Sequence, residues 1–272
     1  MRHPYEGAKA ALTTKHGKSS QIAPAFRSLR VEIATIELDT DQLGTFSREV
    51  PRLGSQRETA IEKARLGMAA SGLRYGIASE ATIGADPIIP FLNSTVEAIA
   101  WIDSELNFEL VEFYRSLEIV VVRETITSDE QLAEVLSRAD FPNHGLIAYC
   151  DKGEVIKGIK DYSTLRAALD RLSGAVTIES DLRAHMSPSR QLVITQCAEK
   201  LVARLGQLCA KCNTPGFGPI SNLLGLTCES CGGEVATALR GEVLGCAKCD
   251  YRQERVNERK YAPARECSYC NP

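Results

Sequence analysis

Four C-x2-C pairs, Cys209/Cys212, Cys228/Cys231, Cys246/Cys249 and Cys267/Cys270, crowd the last quarter of this 272-residue chain and constrain it more than any other feature. The remaining two of its ten cysteines, Cys150 and Cys197, are isolated upstream. Zinc takes four soft ligands in a tetrahedron, and a C-x2-C turn supplies two of them, so two such knuckles close a site. Four knuckles predict two structural zinc ions. All-cysteine sites leave no open coordination position, which argues against catalytic zinc. A secreted disulfide scaffold is the other use of so many cysteines. The start, MRHPYEGAKA, lacks the apolar core of a signal peptide, so a cytoplasmic protein with metal-bound thiolates is expected.

The knuckles Cys228–Gly233 and Gly245–Tyr251 flank a hairpin-like stretch that resembles a zinc ribbon. In that reading Cys209/Cys212 and Cys267/Cys270 form a second site nested around the first. Sequential pairing, first with second and third with fourth, is the alternative. The stretch Cys209–Gly218 is similar to the knuckles of DnaJ-type domains. Arg252, Arg255, Arg259, Lys260 and Arg265 interleave with Glu254, Glu258 and Glu266, the pattern of a solvated surface. A nucleic acid or protein partner for this module stays an alternative.

Over the whole chain, 44% hydrophobic and 25% charged residues read as globular, and no apolar run is long enough to span a membrane. A net charge of -3 argues against a surface built wholly to hold a polyphosphate backbone. Period-two and helical patterns alternate: a strand at Lys9–Thr14, a helix from Ser19 to Leu29, a strand at Val31–Ile36, a helix through Glu58–Arg65 closed by Gly72, and a strand from Tyr75 to Ser79. Glu97–Ile102 and Phe108–Tyr114 read as a hairpin, with a further apolar run at Leu117–Val122. Helices are expected at Asp129–Ala139 and Tyr162–Leu172, strands at Gly145–Cys150 and Val176–Glu179, and a last helix from Ser187 to Gly206. The expected organisation is a mixed-sheet α/β domain over residues 1–206 with helices packed on it, plus a small double-zinc module over 207–272.

The segment Thr13-Thr14-Lys15-His16-Gly17-Lys18 resembles the first strand and phosphate loop of the inosine triphosphate pyrophosphatase-like superfamily, which includes Ham, Maf and YjjX-type nucleotide hydrolases. That family carries T-x-N-x-x-K there. Thr13 and Lys18 match, while Lys15 stands at the Asn position. Glu58–Ala64 is similar to the family's E-x-A-x-x-K-A helix, and Tyr75–Gly84 to its strand ending in an acidic residue, with Glu80 at the metal-ligand position. Glu179–His185 and Ser189-Arg190 resemble the polar loop and the segment that contact the base. Through its GTF, FPNHG, DLRAH and CNP signatures the whole chain is identified as a member of a bacterial family of unknown function.

The superfamily resemblance implies a metal-dependent hydrolase releasing pyrophosphate from nucleoside triphosphates or related phosphate esters. Glu58, Glu80, Asp39 and Asp41 would hold Mg2+ or act as base, and Thr13, Lys15, His16, Lys18, Lys63, Arg183, His185 and Arg190 would contact substrate. A homodimer is a further expectation. The contrasting reading, favoured by Lys15 at the Asn position, is a non-catalytic zinc-ribbon protein that binds nucleotide, nucleic acid or a protein partner.

Overall fold

The strand β1 (Lys9–Thr14) is buried in every residue but its first, as a central strand must be. Its neighbours on either side are β2 (Glu32–Glu37) and β3 (Tyr75–Ala85), both parallel to it. β4 (Asn93–Asp103) and β5 (Phe108–Ser116) complete the sheet in the order β2-β1-β3-β4-β5. This computed structural model describes residues 2–15, 17–43 and 54–272. The chain divides into two compact units, Tyr5–Val202 and a smaller one of Ala203–Pro272 with Met1–Pro4.

Helix α1 (Ser19–Phe26) joins β1 to β2, and α2 (Gln56–Ser71) joins β2 to β3. The chain therefore leaves β1 to one side and returns on its other side, which makes the carboxyl ends of β1 and β3 a topological switch point. Strand alternation sorts the sheet's two faces. Ala78, Ala98 and Ala100 pack under Ala60, Ile61 and Ala64 of α2. The opposite face carries Trp101, fully buried, with Phe26 of α1 stacked on it at 5.6 Å and Tyr5 at 4.8 Å. Tyr5 donates its hydroxyl to buried Asp103 at 2.9 Å, and burial first, then that carboxylate, pushes the phenol's pKa up.

A second sheet, β6-β9-β7-β8, is wholly antiparallel. Its strands are β6 (Arg123–Ile126), β7 (Leu146–Cys150), β8 (Val155–Ile159) and β9 (Val176–Ser180). Helices α3 (Asp129–Arg138) and α4 (Tyr162–Arg171) are capped by the side chains of Ser128 and Asp161. Val135 and Leu165 from these helices meet Leu146 and Ile178 in one core. Helix α5 (Pro188–Leu205) then runs back to the first sheet, where buried Cys197 donates its thiol to the carbonyls of Glu97 and Glu112.

Strand pairing decides two stretches that local pattern leaves open. Leu117–Val122 forms no strand, and pairing starts only at Arg123. The Pro87 and Pro90 loop is the tip of a long hairpin, because β3 runs on from Ser79 to Ala85 and pairs with β4 throughout. Both prolines sit in the turn, where no ladder hydrogen bond is lost.

Gly67 on α2 faces β1 so closely that a Cβ there would lie 1.9 Å from Thr13 Oγ1. Gly67→Ala should therefore destabilise the α/β unit by about 2 kcal/mol despite its better helix propensity. Chemical denaturation of the parent and the variant checks this.

Candidate functional site

At the switch point β1 ends in Thr14, whose hydroxyl accepts the Lys18 N–H at 3.3 Å and shapes the loop into α1. Pairing between β1 and β3 ends at Thr13 and Ala78, so Ser79 and Glu80 project just past it. Adjacent strand residues point to opposite faces. On one face Lys18 Nζ donates to Ser79 Oγ at 2.6 Å and lies 3.5 Å from Glu97 Oε1. Arg190, near the start of α5, brings Nη2 to 3.6 Å from Glu97 Oε2 and donates Nη1 to the Leu182 carbonyl at 2.6 Å. On the other face Lys63 of α2 holds Glu80 Oε2 at 2.6 Å. Gln56 pins the backbone beneath, donating to the carbonyls of Glu80 and Val96.

The Glu97 side chain is fully buried and that of Arg190 is 1% exposed. Lys18 and Arg190 thus face Glu97, and Lys63 faces Glu80. Burial draws the Lys18 ammonium down to about 8; Glu97 opposes that shift, and Arg190 adds to it. These buried cations lie where strand topology directs ligands.

The remaining expected site residues fall into separate places. Glu58 does not join the cluster. It is the third residue of α2, and its carboxylate accepts the Ser55 N–H at 2.7 Å while its own N–H binds Ser55 Oγ, a complete capping box. Its pKa is lowered by the same Ser55 backbone bond. Thr13 is buried beneath α2, on the face away from Lys18. Lys15 and Asp39 form an ion pair at 2.8 Å. Arg183 grips buried Asp181 through Nε and Nη2, and the neighbouring His185 has its pKa lowered by burial and then by Arg183. His16 and the Asp41 side chain lie outside what the structure describes. Glu97 is the residue that sequence reasoning passes over. Its signal is a lone carboxylate in the otherwise apolar run Val96–Ile102.

In the smaller unit β10 (Gly218–Cys228) and β11 (Glu234–Gly245) form a hairpin in which Gly218 faces Gly245 and Thr227 faces Glu234. At about 3.3 Å per residue its two ends stand roughly 30 Å apart. The turn carries Cys228 and Cys231, whereas Cys212 precedes β10 and Cys246 follows β11 at the open end. β12 (Arg252–Val256) runs back along β11, and β13 (Tyr261–Ala262) pairs with Thr227 and Cys228, which delivers Cys267 and Cys270 to the turn. The sulfurs accordingly gather as Cys209, Cys212, Cys246 and Cys249, and as Cys228, Cys231, Cys267 and Cys270. This interleaved pairing overturns both the nested and the sequential arrangements. The knuckles that nesting would join are held apart by the length of the hairpin.

Each set can hold zinc. A tetrahedron with Zn–S of about 2.3 Å has edges of about 3.8 Å, and the sulfur separations are 3.7 and 3.5 Å in one set and 3.9 and 3.7 Å in the other. None is at disulfide length. Backbone N–H groups of Lys248 and Cys249 point at Cys246 Sγ, and that of Gly233 at Cys231 Sγ, the bonds a thiolate accepts. Thr214 beside Cys212 draws that thiol down to about 6. Several basic residues of the module are ion-paired, Arg255 with Glu242, Arg259 with Glu266 and Lys211 with Asp250.

A mixed α/β unit with a buried ion cluster and a module with two four-cysteine sets are thus the parts of this protein. The family described as Domain of unknown function (DUF6671) matches residues 63–272, and the chain belongs to it. No curated protein matches the chain. Among solved structures, a nucleoside-triphosphatase / dITP/XTP pyrophosphatase from Mycobacterium abscessus is similar at 17% identity, covering 39% of this chain and 70% of that one, with a TM-score of 0.28. Among the described residues, no helix is long and apolar enough to cross a membrane.

Two outcomes are expected. The purified chain should carry two zinc ions, and a Cys212→Ala, Cys246→Ala double variant should keep one by native mass spectrometry, whereas nested or sequential pairing would leave none. Glu80→Gln strands the buried Lys63 ammonium, so the melting midpoint in urea should shift by an amount equivalent to about 3 kcal/mol.

Proposed function

We propose that the α/β unit binds the phosphates of a nucleoside triphosphate or related phosphate ester at the carboxyl ends of β1 and β3. The observation that carries this reading is the convergence there of three buried cations, Lys18, Lys63 and Arg190. Cations drawn out of water are costly to hold, and a phosphate oxygen forms strong charge-assisted hydrogen bonds with them. Lys18 lies at the start of α1, where the first-turn N–H groups also favour an anion. The resemblance of Thr13–Lys18 to a phosphate loop supports the same placement.

Mg2+ is implied by that resemblance, and the residues present do not fit it as a resident ion. Glu80 and Glu97 offer hard oxygen donors, but both already face cations, which a divalent ion would have to displace or repel. Glu58 is occupied in its capping box and Asp39 with Lys15. These engagements favour a nucleotide-binding unit over a metal-dependent hydrolase, and pyrophosphate release is the measurement that separates the two.

Titration calorimetry with inorganic triphosphate and a panel of nucleoside triphosphates tests the site. Lys18→Ala should weaken binding at least tenfold while the melting temperature holds, since Glu80 keeps Lys63 and Glu97 keeps Arg190. Binding needs the charged ammonium, so affinity should fall as pH rises through about 8, by up to about tenfold per unit. Equal affinity in parent and variant would place the phosphates elsewhere.

A further inference from the structure

Between the second sheet and the start of α5, three polar side chains stand in line. The loop after α3 turns at Asp140, a non-glycine residue in the left-handed region with φ of 49°, and the Asp140 carbonyl accepts the His144 N–H at 3.1 Å. This local conformation is costly for a residue with a Cβ, and its effect is to aim the carboxylate at the His144 ring. Asp140 Oδ2 lies 3.0 Å from His144 Nδ1, and Asn143 donates to Asp140 Oδ1 at 3.1 Å. On the other side of the ring, His144 Nε2 lies 3.0 Å from Ser189 Oγ.

The backbone assigns the tautomer. The Ser189 N–H donates to His144 Nε2 at 3.2 Å, so Nε2 carries no proton and Nδ1–H donates to Asp140. The imidazole is therefore a base toward the serine and is oriented by an acid behind it. The Val120 N–H donates to Ser189 Oγ at 3.3 Å, which leaves the hydroxyl proton to point at Nε2 or at Ser187 Oγ, 3.3 Å away. His144 is buried, while Ser189 is only partly so. Asn143 first, and then His144, hold the Asp140 carboxyl below its ordinary range, so it stays ionised beside the ring. Ser189 sits in the first turn of an 18-residue helix, whose N-terminal dipole favours an oxyanion.

From these contacts we propose that Ser189 is a nucleophile served by His144 as base and Asp140 as its orienting acid, in a second site that hydrolyses small activated esters. Ser189 Oγ bonds to the ester carbonyl carbon as its proton passes to His144 Nε2. The carbon–oxygen bond to the alcohol then breaks, and the alcohol leaves with that proton. Water next adds to the acyl carbon and gives its proton to Nε2. The serine ester breaks, the carboxylic acid departs, and Ser189 recovers the proton. Water is the sole co-reactant, and nothing is oxidised or reduced.

A purely structural role for the same contacts, tying α5 to the second sheet, predicts an unreactive serine. The test treats the full chain with a fluorophosphonate, locates any adduct by peptide mass spectrometry, and follows p-nitrophenyl acetate release in parallel. A stoichiometric adduct on Ser189 is expected, with release at least 100-fold slower in Ser189→Ala and His144→Gln and at least tenfold slower in Asp140→Asn. An unmodified Ser189 in the parent chain overturns the proposal, and that result depends on no variant folding. Labelling of His144→Gln at the parent rate overturns it equally, because a serine modified without its base is merely exposed.

Discussion

Glu97 is the carboxylate on which the α/β unit turns. Fully buried on the fourth strand, it faces Lys18 from the loop after β1 and Arg190 from the last helix. Three segments far apart in sequence are thereby held at one charge. A buried ion set of this kind adds little to stability relative to an apolar core, since desolvation offsets most of the attraction. It does specify geometry, because each member is costly to leave alone. Cys197 reinforces the arrangement by donating its thiol to the Glu97 carbonyl from the same helix. Burial pushes that thiol's pKa up.

The same helix serves a second set of polar contacts. Ser189 and Arg190 are consecutive, yet one meets the His144 ring and the other Glu97. Successive helix residues diverge by about 100° around the axis, so neighbouring positions can serve different elements. The α5 start is thus fixed from two directions, by the second sheet through His144 and by the first through Glu97. That double anchorage supplies the rigidity a phosphate site or a nucleophile requires.

In the smaller unit the core is slight: Leu226, Val235, Ala238 and Ala262 with Cys228 and Cys267 make its buried cluster. A module of that size gains little from burial alone, and metal binding is the usual substitute. The hairpin then has a second role as a spacer. Because β10, β11 and the return through β12 each traverse the module, successive knuckles land at alternate ends.

Much of this was legible in the residues. Lys9–Thr14 and Glu58–Gly72 announced a strand and a helix through local patterning, and the Gly72 turn at φ of 70° ends α2 as a glycine does best. The four C-x2-C spacings determined which atoms can bind metal, because the knuckle is a local turn. Lys18, Glu80 and Arg190 were singled out from the chain alone, and the structure shows each in contact with an opposite charge. Glu58 resembles a ligand by its place in the E-x-A-x-x-K-A helix, yet its spacing to Ser55 spells a cap. What only the tertiary structure decided is partnership. Glu97 meets Lys18 because β4 lies beside β3, and Cys212 meets Cys246 because two strands run the length of a hairpin between them. Spacing along the chain sets local turns, whereas long-range contact depends on how many times the chain crosses a sheet, and no short motif encodes that number.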